Sequence, residues 1–229
     1  MSDLGQTQAR VRPRDAASLV LLRHEGGVAR VLMGRRSKRH AFAPDVFVFP
    51  GGRLDPGDAR MAAATPLRPD VALKLSPRRA EALALAAVRE TFEETGLILG
   101  QPITSPVVAP NAAWAEFLAT GHAPTLHQID YLGRAITPPD SPIRFHARFF
   151  ITDADHATGT LGGSGELIDL DWVTVEEALR LPVLDVTEYV LAQVAARVAG
   201  EAAGPTLFSY RNGRAVSRPT QPSGARRKP

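Results

Sequence analysis

Three glutamates, Glu90, Glu93 and Glu94, lie within five residues of one another in this 229-residue chain. On a helix their i, i+3, i+4 spacing puts them on one face, where three carboxylates repel one another unless a cation lies among them. Leu85 and Val88 fall on the opposite face, spaced for burial against a core. The pattern predicts a helix that holds a divalent metal ion, although such a run is also common on a solvated helix surface.

A glycine-rich segment upstream of these glutamates strengthens the metal-binding interpretation. Gly51 and Gly52 follow Pro50, and a glycine pair lets the backbone turn tightly and approach a ligand closely. Aspartates follow at positions 55 and 58, with carboxylate oxygens of the kind that Mg²⁺ prefers. A Pro-Gly-Gly sequence alone also fits a plain turn. Beside an acidic helix that ends at Gly96, where a left-handed residue is expected, we favour a ligand-binding loop.

Together these two segments resemble the signature of the Nudix hydrolases, G-x5-E-x7-R-E-U-x-E-E-x-G-U, where U is an aliphatic residue. Asp58 stands where the family has Glu, and Thr91 stands at the first aliphatic position. Thirty residues separate Asp58 from Arg89 where the signature has seven, so an insertion must leave between the loop and the helix. The residues that fit the signature are Gly52, Arg89, Glu90, Glu93, Glu94, Gly96 and Leu97.

The resemblance implies an α/β fold, an α/β/α sandwich built around a mixed β-sheet. We expect a flexible N-terminal arm over residues 1–15 and a Nudix domain over 16–200. The insertion, at about 59–76, could cover the site. Residues 201–229 are rich in Pro, Ser, Gly and Arg, and we expect a basic, disordered tail there.

The resemblance also implies a metal-dependent reaction at the acidic helix. Glu90, Glu93 and Glu94 would hold Mg²⁺ or Mn²⁺, with a main-chain carbonyl near Gly52 as a further ligand. Arg89 would brace the acids, and its position four residues before Glu93 makes a salt bridge along the helix available. We count all four of these charged residues as catalytic.

The general base and the substrate contacts are less closely defined by the sequence. Nudix enzymes use either a glutamate of the signature or one from a distant loop, which leaves Glu90 and Glu166 as candidates. Glu166 equally fits a solvated loop acid. Arg36 and Arg53 could meet the phosphates of a substrate, with the backbone of Gly51 and Gly52 between them.

The substrate class is suggested by a second motif, L-L-T-x-R-[SA]-x3-R-x3-G-x3-F-P-G-G, of the coenzyme A diphosphatases. Ala41 replaces its second Arg and Asp45 its Gly. The first expected substrate is therefore coenzyme A or acyl-CoA. ADP-ribose, NADH or a dinucleotide polyphosphate is the alternative, as is a Nudix regulator that binds a nucleotide without cutting it. The residues in register with the motif are Leu32, Arg36, Ser37, Phe49, Pro50, Gly51 and Gly52.

Composition and charge narrow the class of protein. The chain has no cysteine, which excludes disulfides and thiolate metal sites and fits a cytoplasmic protein. It lacks an apolar run long enough to span a membrane. The formal charge is +3, but residues 211–229 contribute +6 and residues 1–15 contribute +1, which leaves −4 for the body. We therefore expect a small-molecule substrate, no specific nucleic acid, no membrane and a possible homodimer; an RNA-binding role would depend on the basic tail.

Periodicity predicts the elements that position these residues. Strands are expected at 17–23, 28–34, 46–49, 129–136, 144–152 and 167–173, and helices at 77–95, 111–119, 174–181 and 186–199. Ser76 and Pro77 are expected to start the acidic helix, Asn111 to cap the second and Thr174 the third.

Overall fold

The computed structural model describes residues 11–38, 43–75, 79–201 and 204–220. The helices are α1 (Pro69–Ala72), α2 (Ala80–Thr95), α3 (Ala112–Ala119), α4 (Val175–Ala178) and α5 (Asp185–Val198), with a 3₁₀ turn at Ala154–His156. The strands are β1 (Arg14–Glu25), β2 (Val28–Arg36), β3 (Phe47–Val48), β4 (Gly51–Arg53), β5 (Gly100–Pro102), β6 (His122–Pro124), β7 (Asp130–Ile136), β8 (Phe145–Asp153), β9 (Leu167–Thr174), β10 (Thr206–Arg211) and β11 (Arg214–Pro219).

One mixed sheet organises the described residues. Its strands run in the order β11-β10-β7-β8-β1-β2-β3, with β4 also paired to β1 and β9 also paired to β2. β1 pairs with β8 and β7 with β10 in parallel, and the other pairs of this sheet are antiparallel. The predicted α/β class with a mixed sheet is confirmed.

Helices cover both faces of the sheet, because successive side chains of a strand point to opposite sides. Leu19 and Leu21 of β1 belong to a core shared with Leu83 and the rest of the buried side of α2. Val20, between them, belongs to a second core with Val190 of α5. The layers are therefore helix, sheet and helix, as the resemblance implied.

Most of the predicted elements are present, with shifted ends. Asn111 caps α3 by accepting from the backbone N–H of Trp114, and Thr174 begins α4 with a capping box. The acidic helix is described from Ala80, and its predicted start at Ser76 and Pro77 lies outside the described residues.

The insertion, to which the sequence assigned no structure, packs into the core beside α2. Leu67, Val71 and Leu75 are buried there, and Val71 lies in the short helix α1. Thr65 forms a β-bridge with Thr125. This segment is therefore part of the helical layer, held by apolar burial of the kind that stabilises any core.

Two predictions about the termini need correction. The segment 201–229 was expected to be disordered, but β10 and β11 form an antiparallel hairpin, and β10 extends the sheet beside β7. The turn is Asn212-Gly213, with positive φ at both residues, a strong hairpin signal. At the other end β1 begins at Arg14, inside the segment 1–15 that was expected to be an arm; residues 1–10 and 221–229 lie outside the described residues.

Candidate functional site

The helix α2 presents the acidic residues on the side away from the insertion. Its opposite side is fully buried, with Leu83 and Val88 unexposed to solvent. Gly96 ends it in the left-handed conformation, with φ of 74° and its N–H bonded to the carbonyl of Phe92. The predicted buried back and acidic front, and the predicted end of the helix, are confirmed.

Arg89 is held by a buried carboxylate that the sequence did not assign to it. Its Nε and Nη2 donate to the two oxygens of Asp58 at 2.8 and 3.1 Å. Asp58 is 0% exposed and also accepts from Trp114 Nε1 at 3.0 Å and from the backbone N–H of Asp55 at 2.8 Å. A buried pair with every partner in place fixes the base of the insertion to α2, so Asp58 is a structural residue rather than a metal ligand.

The same guanidinium reaches the acidic face of its own helix. Arg89 Nη1 lies 2.9 Å from Glu90 Oε1 and 3.2 Å from Glu93 Oε1, and Nη2 donates to the carbonyl of Arg53 at 3.0 Å. The predicted bridge between Arg89 and Glu93 is therefore confirmed. Because Asp58 and these acids surround it, the pKa of Arg89 is raised even though burial opposes its charge. It stays a fixed cation behind the acids.

Burial makes the ionised forms of two of the glutamates costly. Burial raises the pKa of Glu94 to about 8; the N–H of Gly51, which donates to Glu94 Oε2 at 2.8 Å, opposes this shift, and the charges of Glu90 and Glu166 add to it. Burial also raises the pKa of Glu90 to about 7 against the opposing charge of Arg89, and Glu93 raises it further. Ionisation of both carboxyl groups is therefore unfavourable, and a cation beside them would favour it.

The glycine loop touches the acids directly. A side chain at position 52 would place its Cβ 2.4 Å from the carboxyl carbon of Glu90, and one at position 51 would lie 2.2 Å from Ser18 Oγ. Glycine is required at position 51, where a Cβ would also lie 2.5 Å from the carbonyl oxygen of Ala17. The predicted close approach of the two glycines to a ligand stays a prediction.

Glu166 is brought to the same site from the loop before β9. This loop contacts the C-terminal end of α2, where Ser164 N–H donates to the carbonyl of Glu93 at 2.7 Å. A Cβ at Gly163 would lie 2.4 Å from the backbone of Glu94, which requires glycine there. The Glu166 side chain is exposed, and its charge acts on Glu94 and Arg36. The loop therefore carries an acid to the rim of the acidic cluster.

The two predicted substrate arginines border the same space. Burial lowers the pKa of Arg36, and the charges of Glu94 and Glu166 oppose this shift. Arg53 is exposed at the end of β4. Arg35 is turned aside by carboxylates, with Nη1 2.6 Å from Asp45, so Arg36 rather than Arg35 faces the acids.

A cleft of about 1310 Å³ joins these groups. The acids, the glycine pair and Arg36 line one end, and side chains of β7, β8, β10 and the start of α5 line the other. None of residues 59–75 is among its lining residues, so this described part of the insertion does not cover it. The sequence missed the contribution of the C-terminal hairpin, Phe208 and Tyr210.

The donor set of the acidic cluster suits a hard divalent cation. The available groups are carboxylate oxygens, and a cation beside Glu90 and Glu94 would offset the cost that burial places on their ionised forms. In the described ranges no group of three or more His, Asp or Glu residues is already spaced to hold a metal ion. Glu90 and Glu93 are instead drawn to Arg89. Metal ligation by the three glutamates and Gly52 stays a prediction.

Within the part of the chain that is described, no helix is long and apolar enough to cross a membrane.

Known proteins resemble this chain along most of its length, although no protein-family profile matches it. A NUDIX hydrolase from Alicyclobacillus acidocaldarius, known as a crystal structure, is 31% identical, with a TM-score of 0.67 over 85% of this chain and 98% of that one. The NUDIX domain of Shewanella oneidensis NrtR, crystallised with ADP ribose, is 15% identical, with a TM-score of 0.50 over 85% of this chain and 94% of that one, a likeness of fold.

A curated protein of Caenorhabditis elegans, "Putative nudix hydrolase 7", is 25% identical over 179 residues. The match takes in 72% of this chain and 53% of that protein, so the chain spans about half the length of this curated relative.

Proposed function

The chain belongs to the Nudix hydrolase family, and on that premise we propose that it cleaves the diphosphate bond of a nucleoside diphosphate joined to a second moiety. The observation that carries the proposal is the meeting of a buried acidic cluster with a glycine pair at one end of a long cleft. A diphosphate needs its oxygens neutralised and a water aimed at one phosphorus, and these groups are suited to both tasks.

Glu90, Glu93 and Glu94 would hold Mg²⁺ or Mn²⁺, together with the main-chain carbonyl of Gly52. A bound divalent cation neutralises diphosphate oxygens and lowers the pKa of water. The donation from Gly51 N–H at 2.8 Å orients Glu94, and Gly52 lies so close to Glu90 that a Cβ at position 52 would contact its carboxylate.

The arginines have two different tasks in this proposal. Arg89 is a positioning residue, because Asp58 fixes it and it in turn holds Glu90 and Glu93 in place. Arg36 and Arg53 face the cleft and would neutralise substrate phosphates.

Glu90 and Glu166 both stay candidates for the general base. Burial raises the pKa of Glu90 to about 7, which favours proton acceptance, while its ion pair with Arg89 at 2.9 Å opposes it. Glu166 is exposed at the rim of the same cleft, where a water molecule can reach it.

Coenzyme A or an acyl-CoA is the first proposed substrate, giving 3′-phospho-ADP and a phosphopantetheine. The second motif supports this choice, and so does a cleft that extends well beyond the acidic cluster. The volume of about 1310 Å³ exceeds that of most small-ligand pockets, as a long substrate requires.

Product analysis tests the proposal. Purified protein is incubated with Mg²⁺ or Mn²⁺ and with coenzyme A, acyl-CoA, NADH or ADP-ribose, and the phosphorylated products are identified. We expect cleavage of the diphosphate, and a loss of at least about a hundred-fold in kcat for Glu94→Gln. Glu81→Gln, an exposed position on the same helix and outside the cleft lining, is the matched control.

A regulator that binds without cutting gives a different result. Calorimetry would then detect nucleotide binding by the unaltered protein, while no product forms with either metal. Cleavage that survives Glu94→Gln at the original rate would remove the acidic cluster from the reaction.

A further inference from the structure

The floor of the cleft is a straight path across the sheet. In cross-strand register, Arg53 of β4 is followed by Ala16 of β1, Ala147 of β8, Ala135 of β7 and Phe208 of β10. All five residues line the cleft. Four steps between neighbouring strands span about 19 Å, so the aromatic end of the path lies about that far from the glycine strand.

Small side chains keep this path open. Three successive strands each contribute an alanine at positions 16, 147 and 135, and a methyl group is all that rises from the floor at each step. Larger side chains flank the row on β8, where Phe145 and Phe149 stand two residues to either side of Ala147. The result is a trough, which we name the alanine trough, with the acidic cluster at one end.

The hairpin builds a rigid wall at the other end of the alanine trough. The ring of Phe208 stacks on Tyr189 with centroids 4.9 Å apart, and Tyr210 meets Phe208 edge to face at 5.5 Å. The Tyr210 hydroxyl donates to Asp185, and the Tyr189 hydroxyl donates to the carbonyl of Thr206 at 3.0 Å. The rings of Phe208 and Tyr210 are therefore held against α5 in the absence of a ligand.

The two ends of the trough differ in charge. Arg36 and Arg53 stand with the acids at the phosphate end. Of the described residues that β7, β10 and the start of α5 contribute to the lining, Asp185 alone is charged, and its carboxylate accepts the Tyr210 hydroxyl. The far end therefore disfavours an anionic group and suits an apolar or aromatic one.

We propose that the alanine trough and its wall, Phe208 and Tyr210, select the second moiety of the substrate: an extended, uncharged arm whose apolar end contacts the two rings. This inference rests on the proposed function, since it takes the diphosphate to be bound at the acidic end. A nucleoside diphosphate with a short sugar substituent ends before the wall. A substrate with a long amide-linked or acyl arm reaches it.

The test compares a long-armed substrate with a short one in the same protein. Ala147→Leu raises the floor of the trough, and Tyr210→Ala removes half of the wall. For each variant, kcat/KM is measured with acyl-CoA and with ADP-ribose in Mn²⁺. We expect kcat/KM for acyl-CoA, divided by kcat/KM for ADP-ribose, to fall about tenfold or more in both variants. The reason is that the blocked or lost apolar contacts affect the long arm.

Val216→Ala is the matched control, since Val216 lies on β11 of the same hairpin but outside the cleft lining. The ratio should stay within about twofold there. A ratio that is unchanged in Ala147→Leu and Tyr210→Ala, or an equal loss with both substrates, would overturn the inference.

Failure of the proposed function can be distinguished from failure of this inference. If the unaltered protein cleaves none of the substrates, calorimetry with acyl-CoA and ADP-ribose still tests the trough. The inference is supported if Ala147→Leu binds acyl-CoA more weakly than the unaltered protein does and binds ADP-ribose equally well. It is contradicted if the variant and the unaltered protein have the same affinity for each of the two ligands.

Discussion

Two segments outside the signature have opposite relations to the cleft. The insertion, residues 59–75, begins directly beside the glycine loop, yet its side chains pack behind α2 and none lines the cleft. The hairpin, Thr206–Pro219, lies near the end of the sequence, yet Phe208 and Tyr210 form the wall opposite the acidic cluster. Closeness to the signature along the chain therefore does not decide which segment meets a ligand.

The face of the sheet on which a segment packs decides whether that segment lines the cleft. The insertion joins the core on the α2 side, which takes Leu19 and Leu21 of β1. The hairpin adds a strand whose Phe208 joins the core on the other side, with Val20. Neighbouring residues of β1 point to opposite faces of the sheet. The insertion packs on one face, where it stabilises the fold, and the hairpin packs on the other face, where it shapes the cleft.

The largest effect is expected where the insertion leaves the glycine loop. Asp58→Ala removes the buried carboxylate that pairs with Arg89 and should lower the free energy of unfolding by about 3–5 kcal/mol, because it leaves Nε of Arg89 and Nε1 of Trp114 buried without this acceptor. Denaturant titration measures it, with Asp70→Ala, an exposed position on α1, as control. A loss below about 1 kcal/mol in Asp58→Ala would show that the insertion is not anchored there.

A smaller effect is expected inside the insertion. Leu67 is 7% exposed, and Leu67→Ala should cost about 2–4 kcal/mol of unfolding free energy. Leu73→Ala, at a residue 58% exposed in the same segment, should change it by less than about 0.5 kcal/mol. The ratio of kcat/KM for acyl-CoA and ADP-ribose should not change in either variant. A changed ratio in Leu67→Ala would give the insertion a part in substrate selection.

The attachment of the hairpin to α5 gives a smaller effect again. Tyr189→Phe removes the hydroxyl that donates to the carbonyl of Thr206 and should cost about 0.5–1.5 kcal/mol. Amide hydrogen exchange should rise in β10 and stay constant in α1. Equal exchange in β10 of both proteins would mean that this hydrogen bond does not hold the wall.

The smallest expected change in the free energy of unfolding is the one caused by acid. Burial lowers the pKa of His146 to about 4, the charges of Arg148 and Arg134 lower it further, and Asp15 opposes them. The folded chain keeps this ring neutral, so its contribution is complete above the unfolded pKa of about 6.5 and is lost as pH falls from there towards 4. Between pH 7 and pH 5 we expect a loss of less than about 1 kcal/mol, since solvent screens a half-buried ring.

His146→Gln, which cannot gain the proton, should show a flatter pH dependence in the same unfolding titrations. Identical curves for the two proteins would assign the acid sensitivity to other groups.

Local patterns predicted the acidic helix well. The spacing of Glu90, Glu93 and Glu94, the end at Gly96 and the bridge from Arg89 to Glu93 all follow from helical geometry, which acts over a few residues. For the same reason the sequence predicts β7 and β8 as strands, and the structure pairs them antiparallel.

Long-range partners could not be predicted in this way. The pairing of Asp58 with Arg89 crosses the insertion, and the signature spacing that would have pointed to it is broken there. The hairpin carried a local turn signal, Asn212-Gly213, but the basic composition around it favoured disorder. Composition describes a whole segment, whereas a strand needs only six residues and a free sheet edge, and β7 supplies that edge.

Anomalous diffraction from crystals soaked in manganese chloride measures whether Glu90, Glu93 and Glu94 together bind a divalent cation. We expect an anomalous peak between these carboxylates and the backbone of Gly52. Density without a peak at this site, while the soaked protein remains active, would show that the three glutamates do not bind the cation on which the proposed reaction depends.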